Sequence, residues 1–135
     1  MKTTKETAKN TTVKSDSKMG QFFGELYSFN TSLKLFHWHV TGKGSYAQHM
    51  ALDQALEAVS DTLDRIVETT YAMKGDQNII IPETRTPSNI VSHCENFFEY
   101  IDEKREMFKE DFSTAILDDY QEAIQQLLYR LKRLQ

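Results

Sequence analysis

Cysteine is nearly absent from this chain: Cys94 is the only one in 135 residues. A lone cysteine excludes an internal disulfide and a cysteine-based zinc site within one chain. Cys94 falls on an apolar stripe and is expected in the core. No run of ~18 apolar residues occurs, which excludes a transmembrane helix, and no membrane partner is expected. The first residues are polar and no apolar signal region follows, so a cleaved secretion signal is not expected. The expected compartment is the cytoplasm, and the sequence reads the same for a virion or phage particle. There is no internal repeat. None of the four histidines has a glutamate three residues earlier. That disfavours a di-iron bundle built on Glu-x-x-His pairs within one subunit.

What is present fits one soluble domain with a single core: 39% apolar and 27% charged residues. The charge is unevenly placed. Residues 1–18 carry Lys2, Lys5, Lys9, Lys14 and Lys18 against Glu6 and Asp16, a net of +3, which leaves −7 on the rest of a chain whose total is −4. Residues 1–17 are rich in Thr, Lys and Ser with almost nothing to bury, and read as a disordered basic tail. Residues 18–135 form the domain.

From Lys18 the apolar residues take a helical period. Phe22, Leu26, Phe29, Leu33, Phe36 and Val40 predict a first helix over about 18–40, ended by the Gly42 and Gly44 turn. Leu52, Leu56, Val59, Leu63, Ile66 and Thr70 mark a second helix from about Tyr46 to Met73. Residues 74–87 read as a connection, with Ile79-Ile80-Ile81 as a short apolar plug and both prolines, Pro82 and Pro87, blocking helix. Thr86-Pro87 looks like an N-cap with proline at the first helical position. A third helix then runs to about Glu110 with Ile90, Cys94, Phe97, Ile101 and Phe108 inward. Ser113 is expected to cap a fourth, with Leu117, Tyr120, Ile124, Leu127, Leu131 and Leu134 inward. The expected fold is all-α, a four-helix bundle. The connection could reach ~45 Å if extended, enough for a long crossover between helices two and three.

Five residues stand out on this frame: His37, His49, Asp53, Asp64 and Glu68. The last four share the second helix. With His49 at zero, Asp53 falls near ~40°, Asp64 near ~60° and Glu68 near ~100°, one narrow stripe. Yet His49 and Asp64 are ~22 Å apart along the axis, so one ion cannot take both ends. The positions are symmetric about the midpoint between Ala58 and Val59. A twofold axis there would set His49 and Asp53 of one chain against Glu68 and Asp64 of an antiparallel second copy. Such an isologous contact builds two identical sites shared between subunits. The alternative is a solvated polar face with partners four residues apart.

The segments His37-Trp38-His39-Val40-Thr41-Gly42, His49-Met50-Ala51-Leu52-Asp53 and Asp64-Arg65-Ile66-Val67-Glu68 resemble the Dps family of mini-ferritins. The family's ferroxidase ligands follow the same order and intervals as positions 37, 49, 53, 64 and 68. The resemblance covers about residues 18–73, while residues 88–134 match in helical pattern alone. His39, Gln54 and Thr69 stand where members usually carry Asn, an acid and Arg, and the proline-interrupted connection lacks the family's usual short helix. The resemblance implies a ferritin-like four-helix bundle that assembles into a dodecamer. It also implies oxidation of Fe(II), usually with hydrogen peroxide, at sites shared between subunits, and storage of a ferric mineral that protects against oxidative damage. His37, His49 and Asp53 would come from one subunit, and Asp64 and Glu68 from its partner.

Imidazole and carboxylate together suit iron, with manganese or zinc as substitutes. Two other readings stand beside the ferroxidase. One is a non-catalytic DNA-binding or structural cage, the other a dimer with a static zinc or manganese site. The tail lysines could hold DNA phosphates without reading sequence, gaining from many tails on one cage, or could serve as a solubilising tail. Glu110, Asp111, Asp118 and Asp119 read either as an acidic iron inlet where three copies meet or as an ordinary acidic loop. Trp38 is expected to pack beside the site, with electron donation as the alternative. His39 and His93 read as surface or core histidines.

Overall fold

The computed structural model describes residues 13, 14 and 17–134. It contains four helices: α1 (Lys18–His39), α2 (Ser45–Lys74), α3 (Ile90–Lys104) and α4 (Asp111–Arg133). A single 3-10 turn, Arg105–Met107, follows α3. Val13–Lys14 (β1) pairs in parallel with Asp76–Gln77 (β2), two residues each. The remainder of the expected basic tail lies outside the described residues. Among the described residues no helix is long and apolar enough to cross a membrane.

Local chemistry sets the helix ends. Ser17 caps α1: its Oγ accepts from Gly20 N at 2.9 Å and donates to Gln77 Oε1 at 3.0 Å, which ties the start of α1 to β2, just past α2. Gly44 (φ 80°) precedes α2 and Gly75 (φ 86°) ends it, both in backbone that β-carbon-bearing residues rarely adopt. Asn89, not Thr86, caps α3: its Oδ1 accepts from Ser92 N, so Pro87 stays outside the helix. Ser113 does not cap α4. The helix opens at Asp111 behind Glu110, and Ser113 is buried in the first turn.

α3 also ends earlier than its apolar spacing predicts. Phe108 is buried as expected, but past the 3-10 turn. Arg105 anchors that turn to α4, donating to Gln121 Oε1, to Thr114 O at 3.2 Å and to Asp118 Oδ1. Leu134, expected inward, is exposed at the end of α4.

The core lies between the four helices. Phe22, Leu26 and Leu33 of α1 meet Leu52, Val59 and Ile66 of α2, Cys94 and Ile101 of α3, and Leu117, Ile124 and Leu131 of α4. Burial pushes the Cys94 thiol up to about 12, with the Glu95 charge adding to the effect, which keeps it an inert thiol. Phe29 and Phe97 stack 4.2 Å apart, and Phe22 stacks on Tyr100 at 5.9 Å. His93 lies beside Phe29, so α3 runs antiparallel to α1.

The connection between α2 and α3 is a strap laid along α1, not a plug. A methyl group at Gly20 would meet Asn78 O, one at Gly24 would meet Ile80 O, and Ser28 Oγ lies 2.7 Å from Thr84 Oγ1. Four helical residues rise ~6 Å, close to the advance of two extended residues, so Gly20 and Gly24, four apart on the helix, seat Asn78 and Ile80, two apart on the strap. The strap's outer side leaves Ile79, Ile80 and Ile81 36%, 41% and 51% exposed.

One polar chain crosses the core. Tyr120 Oη donates to Asn30 Oδ1, and Asn30 Nδ2 donates to Val59 O at 3.1 Å, joining α4, α1 and α2. Burial raises the Tyr120 hydroxyl well above its ordinary value, so it stays a neutral donor. Tyr120→Phe leaves Asn30 Oδ1 buried without that donor. The expected cost is about 1–3 kcal/mol, read from the midpoint of urea denaturation with the slope unchanged. A midpoint equal to wild type would show that the chain adds no stability.

Candidate metal centre

The site begins with a tight reversal. α1 ends at His39, Gly42 takes φ 89° and Gly44 φ 80°, and Ser45 N donates to Gly42 O at 3.1 Å. The last turn of α1 therefore lies against the first turns of α2. His37 projects from α1, and His49 and Asp53, one turn apart, project from α2 to meet it.

His37 Nε2 lies 2.6 Å from Asp53 Oδ1, and His49 Nε2 lies 3.7 Å from Asp53 Oδ2. The two imidazoles are 3.8 Å apart between ring centres, inclined by 31°. One potential ligand atom from each residue falls within 4.8 Å of the others. The short His37–Asp53 approach lacks the alignment of a hydrogen bond: both ring nitrogens of His37 are buried without a hydrogen-bond partner. An unpaired buried imidazole is costly. Lone pairs that converge on a point instead of pairing with one another are what a cation satisfies. His37 is 6% exposed, whereas His49 and Asp53 are 42% and 44% exposed, so the cluster has a buried wall and a solvent side with room for further ligands.

The structure thus gathers three of the five predicted ligands. Asp64 and Glu68 are exposed on the same helix, ~16 Å and ~22 Å along the axis from Asp53. Asp64 shares a groove with Asp53, walled by Asn30, Lys34, Glu57 and Ser60. Asp64 and Glu68 also border a second, apolar groove formed by Phe23, Tyr27, Leu63, Val67, Ile79 and Ile81. In a single chain neither acid can join the histidine cluster.

The other candidates fall differently. Trp38 does not pack into the site: it is 68% exposed, with Lys34 Nζ 5.6 Å above its ring. His39 is exposed. His93 has a definite partner, Ser32 Oγ at 2.7 Å. The Ser32 hydroxyl donates its one proton to Phe29 O at 2.6 Å, so His93 Nε2 carries the proton of that contact. Burial lowers the His93 pKa, favouring this neutral ring. Two of the four acids near the α3–α4 turn have cationic partners within the chain. Asp118 is taken by Arg105, and Asp119 pairs with Arg65 Nη1 at 3.2 Å.

Sequence reasoning missed Arg105 and the apolar groove beside Glu68. Arg105 left no local signal, because its partners lie 9 to 16 residues on. The small residues Gly20, Gly24, Ser28 and Ser32, four apart on α1, could have announced the strap.

No curated protein and no solved structure matches the chain significantly. One family profile does match, described as a family of unknown function, DUF5856, over residues 37–131. That span opens on His37 and holds His49, Asp53, Asp64 and Glu68, and the chain belongs to this family.

Proposed function

We propose that the protein is a Dps-like mini-ferritin that oxidises Fe(II) at sites shared by two copies of the chain. The observation that carries this reading is the half-built cluster: His37, His49 and Asp53 converge within 4.8 Å, with His37 lacking any hydrogen-bond partner. Asp64 and Glu68 complete the cluster from a twofold-related copy. The strap along α1 and the antiparallel α3 accord with a ferritin-like bundle and its long crossover, and a closed cage such as a dodecamer follows from the same resemblance.

Iron is substrate here. Three carboxylates favour Fe(III) over Fe(II) by charge, while the imidazoles keep the site open to the ferrous ion. Two Fe(II) each give one electron to one peroxide; its O–O bond breaks and, with two protons, two waters form. The chain's own part is to hold the ligands together before the ion arrives, with His37 fixed by its burial and His49 and Asp53 open to incoming iron.

The test is anaerobic Fe(II) addition followed by peroxide, read by ferric absorbance. Wild type should oxidise iron faster than free solution. His49→Ala or Glu68→Ala alone should lower the rate at least ~10-fold, the scale seen when a metal site is disturbed. A wild-type rate equal to free iron would leave a static zinc or manganese site as the better reading, which the exposed half-site also fits by donor type.

A further inference from the structure

We infer that Trp38 of a second copy of this chain docks in the apolar groove formed by Phe23, Tyr27, Leu63, Val67, Ile79 and Ile81. The inference rests on the twofold reading of the site, and adds to it the contact that holds the two copies in register.

Trp38 is the only tryptophan in the chain and is 68% exposed, next in sequence to a ligand buried to 6%. Ile79 and Ile81 are also exposed, on a strap whose inner side is pressed onto α1. Exposed aromatic and aliphatic groups clustered beside a groove mark interaction surfaces, and tryptophan is among the residues most enriched at the energetic centre of interfaces. Lys34 shields one side of the indole, leaving it a surface to offer.

The twofold register decides which groove receives it. Under an axis at the Ala58–Val59 midpoint, residues 63–68 of α2 lie level with residues 49–54 of the partner's α2. His37 touches Asp53, so the stretch of α1 at that level is its last turn, which carries Trp38. α1 lies along one flank of α2, with His37 against His49 and Asn30 against Val59. An axis perpendicular to both α2 helices keeps both α1 helices on the same flank. The groove lies between α1, α2 and the strap, on that flank and at that level, so it faces the partner's Trp38. The same register brings the histidine cluster of one copy level with Asp64 and Glu68 at the rim of the groove. Docking of the indole would place Asp64 and Glu68 beside the partner's half-site.

The lone tryptophan makes the contact directly visible. The full chain is titrated in metal-free buffer, with emission wavelength, acrylamide quenching and native mass followed together. On dimerisation, Trp38 emission should move to shorter wavelength and become protected from quenching. Ile79→Asp/Ile81→Asp, which alters exposed side chains only, should leave the helical circular dichroism intact and weaken association at least ~30-fold, the scale of one interface hot spot. Copies that associate with Trp38 still red-emitting and quenchable would overturn the docking while leaving a shared metal site standing. A chain that stays monomeric at all concentrations would overturn both. Buried Trp38 in a dimer that fails to oxidise iron would uphold the docking and defeat the ferroxidase.

Discussion

Mixing His49→Ala chains with Glu68→Ala chains, each slowed at least ~10-fold alone, is expected to restore about a quarter of the wild-type rate of Fe(II) oxidation. The expectation comes from the isologous arrangement: random exchange makes about half the dimers mixed, and each mixed dimer has one intact site of two. In that site His37, His49 and Asp53 come from the Glu68→Ala chain, and Asp64 and Glu68 from the His49→Ala chain. The other site has lost both residues. The chains are co-refolded from denaturant so that copies exchange, then assayed with peroxide at fixed iron. A site complete within one chain gains nothing from mixing, because every chain carries a lesion. A rate no higher than the two mutants separately, in a mixture shown by native mass to contain mixed dimers, would reject the shared site. The distances make the experiment decisive, since Glu68 lies ~22 Å along α2 from Asp53 and cannot reach its own chain's cluster. A control pair, His49→Ala with Asp53→Ala, should give no recovery: both lesions fall in the same half, so no dimer assembles an intact site.

The bundle was legible because its cause is local. α2 was expected over about 46–73 and is found as Ser45–Lys74, since Gly44 and Gly75 punctuate a long helical period at both ends. The apolar phase alone overextends α3, because Phe108 continues that of Ile101 seven residues on, while Arg105, reaching into α4, turns the backbone out of the helix between them. The plug expected at Ile79–Ile81 failed for a related reason. Three isoleucines signal burial by type, but the strap's path is dictated by Gly20 and Gly24 on a different element. In the site, the intervals between residues 37, 49 and 53 could be read because one helix end, one turn and one helix start suffice to bring them together. How Asp64 and Glu68 are used could be inferred only through symmetry, because the partner that would complete the geometry is another copy. Trp38 stays uncovered for the same reason: the single chain contains its donor surface and its receiving groove at opposite ends of α2.

Replacing Gly24 by valine should destabilise the protein by about 3 kcal/mol or more, since overpacking against unyielding backbone costs at the top of its usual range. Two effects oppose each other. Removing a glycine from a helix interior favours folding, by up to ~1 kcal/mol for alanine and less for a β-branched residue. Against this, a β-carbon at Gly24 would sit 1.7 Å from Ile80 O and 2.5 Å from the carbonyl carbon, with Ile81 N at 3.2 Å. Those are backbone atoms, which cannot rotate away, so the strap must lift. Lifting it breaks the Ile80 N–Gly20 O contact at 3.4 Å and the Ser28–Thr84 contact at 2.7 Å. The melting temperature should fall by roughly 10 °C, and protease should cut within residues 78–89 well before the helices. Ser28→Ala, which removes one hydroxyl and adds no atom, should cost only about 1 kcal/mol and leave the strap uncut. A Gly24→Val protein that melts with wild type would show that the strap does not depend on close approach to α1. Because Ile79 and Ile81 ride on the same strap, its displacement should also expose Trp38 in the associated protein, joining a steric clash on one face of α1 to the contact between copies.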